Sequence, residues 1–593
     1  MPQITPPNAS LPSPWRRLRK PVVAGLGVAL LATGSACMSP DAPRVGGGPA
    51  GRTSAAPPKL VPKDAEPPPP SSRPNIVTVL TDDMRTDDLR WMPNVRRLVA
   101  DQGLDFRNSF SSYPLCAPAR SSLLTGQYAH NTGVLAVDPP DNYRAFDDRA
   151  TVATSLNEAG YNTVFLGKYM NGYGTDKSAV TRKNSFRYVP PGWTDWWGSV
   201  TRPVDSQLGG GTYQYFHVLL NHNGTIDDSH KGVYQTVAEG RLARRMVTKY
   251  HRSPKPFFLY FAPIAPHFGA PREKGDPRGI VWPGTGSPER FKTPARPGRV
   301  KGMFDKEITR ASGLPQDGSE SQKDVSGLPR PMRWLPPIVA NEKKAMLKLT
   351  RQRAESLFVL DQQVGKLVKA LKKTGEYDDT VLMFTSDNGY FLGEHRNRQG
   401  KIWAHEPSLR VPFLVTGPGI PQGRRYDPIS SADVTATILD LGGASAPHPA
   451  DGASVVPTFT RDRGWRVPLV VEGQVDAAEM NTAKEDPPPG FDNPLTGTGV
   501  RTARWKYVRY VDGDAELYDL DHDPNELHNV YGRPRYATVQ AELARLWKQY
   551  RDCAGASCRV PLPTSLQVGP KQLAQTTLEQ ERGIAARYGV PLP

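Results

Sequence analysis

Two short apolar runs constrain this chain more than any other feature. Residues 75–80 (Asn-Ile-Val-Thr-Val-Leu) and 380–385 (Thr-Val-Leu-Met-Phe-Thr) are aliphatic or β-branched at nearly every position, with no polar alternation. A strand buried on both faces has that texture, and such strands belong to parallel sheets covered by helices. Each run ends in side-chain oxygens: Thr81-Asp82-Asp83 after the first, Ser386-Asp387-Asn388-Gly389 after the second. In an open α/β sheet, ligands bind in the crevice beyond the carboxyl ends of the strands. Two such ends meeting there present carboxylates and an amide oxygen, a donor set for a hard cation, Ca2+ or Mg2+. Either segment alone is ordinary turn material. Their pairing after matched strands carries the inference.

The stretch between these runs alternates in the same way. Helical patterns cover residues 92–102, a segment after Cys116, and 342–373; strand-like runs cover 163–166 and 257–260. The fold class expected is α/β, a large mostly parallel sheet flanked by helices. Residues 270–337 lack periodicity and read as a functional rim or an excursion. Beyond residue 455 the pattern changes. Residues 500–510 and 515–520 read as antiparallel strands joined by the Asp512-Gly513 turn, followed by a helix at 537–550. A smaller C-terminal antiparallel β-sheet plus helix domain is expected. A chain of 593 residues exceeds what one core usually spans. The expected boundaries are 1–37 for a signal segment, 38–73 for a linker, 74–455 for the large domain, 456–560 for the small one and 561–593 for a tail.

Arg16, Arg17, Arg19 and Lys20 precede an apolar run at 22–31. About ten residues suit a signal h-region and fall short of the ~20 that span a bilayer. Gly34, Ser35 and Ala36 then lead into Cys37, similar to a bacterial lipoprotein signal in which that cysteine carries the lipid; Arg16-Arg17 also fits the twin-arginine route. Export to a bacterial cell surface, through a lipid anchor at Cys37, or to the medium is therefore expected. The Pro-, Gly- and Ala-rich stretch that follows has too few large apolar residues to build a core and reads as a tether. A net charge of +16 suits an anionic ligand or surface, and no nucleic-acid partner is expected. Of the four cysteines, Cys553 and Cys558 lie close together, and in an oxidising compartment a local disulfide is expected. Cys116 is left alone.

Cys116 opens the segment Cys116-Ala117-Pro118-Ala119-Arg120, ahead of Leu123-Leu124 and a stop at Gly126. Pro118 fits a first helical turn. Cys116 then sits at a helix N-terminus, where the dipole favours an anion and lowers a thiol pKa. Arg120, about a turn further on, is placed to grip an anionic oxygen. A buried structural cysteine fits the same residues, and both readings stand at this level.

The segment Cys-x-Pro-x-Arg followed by Ser121-Ser122-Leu123-Leu124-Thr125-Gly126 resembles the signature of the type I sulfatases, of the alkaline-phosphatase-like superfamily. Ala119 stands where serine is commonest, leaving the minimal motif intact. The resemblance implies that a formylglycine-generating enzyme converts Cys116 to formylglycine. It also implies that the aldehyde hydrate attacks sulfur. Asp82, Asp83, Asp387 and Asn388 fall where that family holds calcium, together with the residue at 116. Gly167-Lys168-Tyr169 is similar to a motif whose lysine contacts the sulfate, and Lys401, with Glu406 and Arg410-Val411-Pro412, to one carrying a second such lysine. Ala265-Pro266-His267 matches the histidine beside the leaving oxygen. Asp519-Leu520 and Asp523-Pro524-Asn525-Glu526 resemble the family's C-terminal domain. One departure narrows the match: Met170 stands where many arylsulfatases have histidine, and Gly167-Lys168-Tyr169-Met170-Asn171 with Pro191-Gly192-Trp193 is similar to the N-acetylglucosamine-6-sulfatase branch. The resemblance thus implies a sulfated small molecule or polysaccharide as substrate, with 6-sulfated glucosamine and glycosaminoglycans in view.

The chemistry is coherent. A sulfate ester attacked by an oxygen nucleophile builds charge on its outer oxygens, and a metal with Arg120, Lys168 and Lys401 would neutralise it. His267 is the candidate general acid for the leaving alkoxide, while His395 reads as a rim residue. Two competitors are a phosphodiester or phosphonate monoester hydrolase of the same superfamily, and a non-catalytic surface lipoprotein binding sulfated polymers. A thiol hydrolase using Cys116 directly leaves the carboxylates unexplained.

Overall fold

β1 (Asn75–Thr81) is buried at every position, as its unbroken apolar run requires. The computed structural model describes residues 73–203, 207–277, 280–281, 288–289, 291–333, 335–473 and 497–590. The signal reading with its Cys37 anchor, and the linker up to residue 72, lie outside the described residues. Among the described residues, no helix is long and apolar enough to cross a membrane.

In chain order the next strands are β2 (Leu104–Phe110), β3 (Asn162–Lys168), β4 (Asp195–Ser199), β5 (Leu220–His222), β6 (Thr225–Asp227) and β7 (Phe257–Ala262). β8 (Ile280–Val281) and β9 (Pro288–Glu289) pair only with each other. β10 (Thr380–Ser386), β11 (Phe413–Thr416) and β12 (Gly423–Ser430) complete a ten-stranded sheet of order β12-β2-β11-β10-β1-β7-β3-β4-β5-β6. The block β10-β1-β7-β3-β4 is wholly parallel. β11 runs antiparallel between β10 and β2, and β5 and β6 form an antiparallel edge. The mostly parallel α/β sheet expected from sequence is present.

Register places the site. Thr81 pairs with Ser386, so the residues following each strand leave the sheet side by side. β7 and β3 pair in the same direction, so the segments leading to His267 and Lys168 emerge at that same edge. Alternation splits β1 between two cores. Ile76 and Leu80 join Phe106, Leu123, Leu156 and Ile438 on one face. Val77 and Val79 join Leu357, Leu360, Val364 and Leu367 of the Ala340–Thr374 helix on the other. Burial on both faces is what made the strand legible as an apolar run.

A second sheet of β13 (Leu469–Gly473), β14 (Gly497–Arg501), β15 (Trp505–Tyr510) and β16 (Ala515–Asp519) is antiparallel throughout. The expected single strand at 500–510 is two. Thr502 N donates to Trp505 O at 2.8 Å and Trp505 N to the Thr502 hydroxyl at 3.0 Å, closing a tight turn without glycine or proline. The Ala537–Tyr550 helix buries Leu543 and Leu546 in the same cluster as Val500 and Val508. Within 561–593, read from sequence as a tail, a helix runs from Pro570 to Tyr588. Its Glu581 pairs with Arg107 of β2 at 2.7 Å, and Thr577 accepts from Asn108 Nδ2 at 2.8 Å.

Candidate active site

The Cys116–Thr125 helix is buried along its whole length and ends at Gly126, whose φ of 77° is the left-handed stop that glycine takes without strain. Cys116 opens it, and two charged groups touch the thiol. Sγ donates to Asp82 Oδ1 at 3.4 Å, and Lys401 Nζ donates to Sγ at 2.7 Å and also to Asp83 Oδ1. Lys168 Nζ meets Asp82 Oδ2 at 2.6 Å. Arg120 donates through Nε to Asp387 Oδ2 at 2.9 Å and through a terminal nitrogen to the Lys168 carbonyl at 2.7 Å, with Asp82 at 3.5 Å. Asp82, Asp83, Cys116, Arg120, Lys168, Asp387 and Lys401 meet here, with Asn388 and His267 against Asp83. Cys553 and Cys558 are joined as a disulfide elsewhere in the small-sheet region.

Asp83 has a φ of 69°, a left-handed conformation costing a non-glycine residue about 1–2 kcal/mol. The backbone is held there from both sides. Asp83 N donates to Asp387 Oδ1 at 3.1 Å, and the Asp83 carbonyl accepts from the buried Arg353 guanidinium. The turn aims the Asp83 carboxylate into the same space as Asp82. Ligand atoms of Asp82, Asp83, Cys116 and His267 all lie within 4.8 Å of one another. Asn388 adds the decisive test of fit. Its Nδ2 donates to Asp83 Oδ1 at 2.7 Å and to the Gly389 carbonyl at 2.9 Å, leaving its buried Oδ1 without a partner. The clustered oxygens of Asp82 and Asp83 suit a hard, oxygen-seeking cation, which Asn388 Oδ1 joins once its amide turns over from the present donation to Asp83; Asp387 lies outside the four-residue cluster.

Electrostatics correct one expectation. Burial, reinforced by Asp82, pushes the Cys116 thiol up to about 12, against the pull of Lys168 and Lys401. The helix N-terminus does not win, because desolvation of a fully enclosed thiolate outweighs a terminal dipole. Burial also works against the charge on Lys168, yet Asp82 beside it lifts the ammonium above its ordinary range; Asp83 does the same for Lys401. Burial raises Asp387 to about 6, with Asp82 adding to the effect and Arg120 opposing it.

His267 Nδ1 lies 2.8 Å from the Phe268 carbonyl, which only accepts, so Nδ1 carries the proton. Its Nε2 then presents a lone pair toward Asp83 Oδ2, 3.9 Å away. Burial lowers this imidazole to about 4 despite Asp82 and Asp83.

Tyr213 was invisible to sequence reasoning. Its ring lies 5.3 Å from Lys168 Nζ and 5.0 Å from the His267 ring, and its hydroxyl accepts from Asn171 Nδ2 at 3.0 Å. It comes from a turn-rich stretch with no motif to mark it. His395 is no rim residue: it is buried, with Nδ1 at 2.7 Å from Gln322 Oε1 and its ring 4.6 Å from that of His405. Glu406 is spent on ion pairs with Arg410 and Arg501, at 2.9 Å each.

Comparison with known proteins agrees with this geometry. Residues 74–444 match the family described as Sulfatase, and 489–552 the family described as N-sulphoglucosamine sulphohydrolase, C-terminal. The human N-acetylglucosamine-6-sulfatase is 26% identical, over 82% of this chain and 86% of that protein. The N-acetylglucosamine-6-O-sulfatase of Bacteroides thetaiotaomicron is also 26% identical, over 81% and 88%. A solved structure described as bound to its substrate D-glucosamine-2-N,6-O-disulfate superposes with a TM-score of 0.59 at 20% identity, covering 80% of this chain and 97% of that one. A phosphonate monoester hydrolase from Silicibacter pomeroyi superposes at 0.55 and 21%, covering 84% of this chain and all of that one, so the fold is the shared alkaline-phosphatase-like one. With its catalytic-domain match spanning most of the described chain, the protein belongs to the sulfatase family and is a sulfuric ester hydrolase.

Proposed function

We propose that this enzyme releases sulfate from a sulfated carbohydrate, with Cys116 converted to formylglycine and a divalent cation, Ca2+ or Mg2+, held by Asp82, Asp83, Asp387, Asn388 and the residue at 116. The single observation that carries the reading is the enclosure of Cys116 Sγ between Lys401 Nζ at 2.7 Å and Asp82 Oδ1 at 3.4 Å. Without a cation, burial holds a free thiol there in its protonated form, which is a poor nucleophile. An aldehyde hydrate at the same position supplies an oxygen nucleophile, and the cation supplies charge that lowers the hydrate's pKa and offsets negative charge on the ester.

The remaining steps fall to the chain's own side chains. Lys168 and Lys401 hold the sulfuryl oxygens, exchanging their present carboxylate partners for the substrate as it enters. Arg120 fixes Asp387 and the Lys168 carbonyl, so it keeps both the donor set and one binding lysine in place. His267 stands on the leaving-group side. Because Nδ1 donates to Phe268, its Nε2 must first take up a proton before it passes one to the departing alkoxide. The preference for a sulfated glucosamine draws on the Gly167-Lys168-Tyr169-Met170-Asn171 segment and on the names of the two glucosamine sulfatases above. Export draws on the residue 16–37 pattern, with lipidation at Cys37 as the anchored form, and on a relative at 30% identity described as an extracellular sulfatase of Drosophila melanogaster.

The test is mass spectrometry of the Cys116 peptide from protein made in its own host, paired with matched sulfate and phosphate esters. An aldehyde at 116 and sulfate release support the reading. An unmodified thiol, or a preference for phosphodiesters or phosphonates, moves the protein to the other hydrolytic branch; no turnover at all moves it to a binding role.

A further inference from the structure

Lys366 and Lys369 stand one turn apart on the solvent face of the Ala340–Thr374 helix, and both are exposed. With Arg299 they line a groove of about 500 Å³ whose other walls include Asn94, Gln362 and Gln363. No aspartate or glutamate lines it. Like charges a turn apart on one helix face disfavour the helix, so a one-sign cluster is not something helix stability selects.

The amide walls are themselves tied to further cations. Asn94 Oδ1 accepts from Arg97 at 3.2 Å, while its Nδ2 donates to the buried Asp361 at 2.7 Å. Gln363 is 1% exposed; its Oε1 accepts from Arg244 at 3.1 Å, and its Nε2 has no hydrogen-bond partner. Two glycines keep these amides where they are. A Cβ at Gly365 would stand 3.0 Å from Asn94 Cγ, and one at Gly240 would stand 2.7 Å from Gln363 Oε1. Glycine inside a helix is less favourable than alanine, a cost these close approaches explain. The result is a pocket with cations at its margins and amide groups between them, the pattern expected for a ligand that carries both anionic groups and hydroxyls.

The groove stands apart from the site: Lys366 is thirteen residues beyond Arg353, whose guanidinium reaches the Asp83 carbonyl, which is ~20 Å along the helix and within the span of a polymer. Lys292, exposed, lies 5.3 Å from the ring of Phe268, the neighbour of His267. From Lys292 the chain runs to Arg299, a segment reaching at most about 25 Å when fully extended. Thr293 O accepts from Gly269 N at 3.1 Å, and Val300 packs with Tyr215 and Val359, so this segment is fastened along its way.

We propose that this groove is an exosite for a sulfated polysaccharide: a second stretch of the polymer whose ester is at Cys116 lies along Arg299, Lys366 and Lys369. The inference rests on the sulfated-carbohydrate reading above and extends it. The enzyme then engages esters along a chain and not only on small fragments.

The experiment uses the full protein with the neutralised triple variant Arg299→Gln/Lys366→Gln/Lys369→Gln and the reversed one, Arg299→Glu/Lys366→Glu/Lys369→Glu. Binding to heparin, as a densely sulfated glycan, is measured as a function of salt, beside sulfate release from a polymer and from a small aryl sulfate. The expected result is at least tenfold weaker heparin binding, graded from neutral to reversed, with a shallower salt dependence. The specificity constant falls on the polymer and not on the aryl ester, and the melting temperature is unchanged. Unaltered heparin binding overturns the proposal, and so does equal loss of binding to single-stranded DNA of matched charge, which would mark a generic cationic surface. A wild type that binds heparin through these residues yet hydrolyses no ester leaves the exosite standing and sinks the catalytic reading instead.

Discussion

Lys401 Nζ touches both Cys116 Sγ, at 2.7 Å, and the Asp83 carboxylate, so one flexible cation bridges the buried thiol and the carboxylate cluster. Its side chain keeps 11% of its surface exposed while Asp83 is nearly sealed, which puts Lys401 on the side from which substrate arrives. Lys401→Met retains the stem and removes the charge. Sulfate release is expected to fall by about 10²–10³ in kcat, the usual loss when one preorganised donor is removed from developing charge. Conversion of Cys116, read by mass spectrometry, is expected to proceed as in the wild type. Retention of activity within a few-fold would remove Lys401 from substrate binding.

The unpartnered Asn388 Oδ1 and the clustered carboxylates of Asp82 and Asp83 lead to a metal prediction. Dialysis against a chelator is expected to abolish turnover and lower the melting temperature, with Ca2+ or Mg2+ restoring both. A ligand at 100 times its Kd stabilises the folded state by ~2.7 kcal/mol, so the thermal shift reads binding independently of activity. Asn388→Ala is expected to demand more cation for the same shift. A melting temperature indifferent to both chelator and cation would argue that Lys168 and Lys401 alone neutralise the carboxylates.

The sequence made some of this readable and hid the rest for identifiable reasons. Asp82 and Asp387 could be paired because β1 and β10 are buried on both faces, which forces an apolar run and marks where each strand ends. The Cys116 helix announced itself through Pro118 and Gly126. The thiol's pKa could not be read, because the dipole is a local property and desolvation depends on what the rest of the chain stacks against residue 116. Tyr213 reaches Lys168 only through tertiary folding. The Pro570–Tyr588 helix was hidden by its charge: it buries only Leu573, Thr577, Gln580 and Tyr588 and docks largely through polar contacts.

The antiparallel sheet is fastened to the Glu406–Leu409 helix by charge. Arg501 of β14 donates through Nε to Glu406 at 2.9 Å and lies 4.7 Å from the rings of both Phe110 and Trp465. Glu406 N in turn donates to Glu526 Oε2 at 2.8 Å, and Glu526 pairs with Lys506. Breaking a buried pair by removing one partner costs about 3–5 kcal/mol, since the other charge stays buried. Arg501→Ala is expected to lose stability on that scale in urea unfolding, and Arg501→Lys to lose less, keeping the charge but not the fork or the ring stacking. A cost below ~1 kcal/mol for the alanine variant would show that Arg410 alone satisfies Glu406.

His130 gives a pH dependence separate from catalysis. Its Nδ1 lies 2.5 Å from Glu472 Oε1 and its Nε2 2.7 Å from the Cys553 carbonyl, so both nitrogens face acceptors and the protonated ring satisfies both. Burial opposes the charge, but Glu472 outweighs it and lifts the imidazole from 6.5 to about 9. A pKa raised on folding contributes stability that is fully present below the unfolded value and is lost as pH rises through the folded one. The window is therefore about pH 6.5 to 9, and the displacement corresponds to at most roughly 3 kcal/mol. Other groups titrate in the same range, so the measurement is a difference: urea midpoints of wild type and His130→Gln across that window. The gap between them is expected to be widest at pH 6 and to narrow toward pH 9, because glutamine cannot gain or lose the proton. Parallel curves would mean that His130 keeps the same charge in the folded and unfolded chains, and that its two contacts hold the Cys553 loop without protonation.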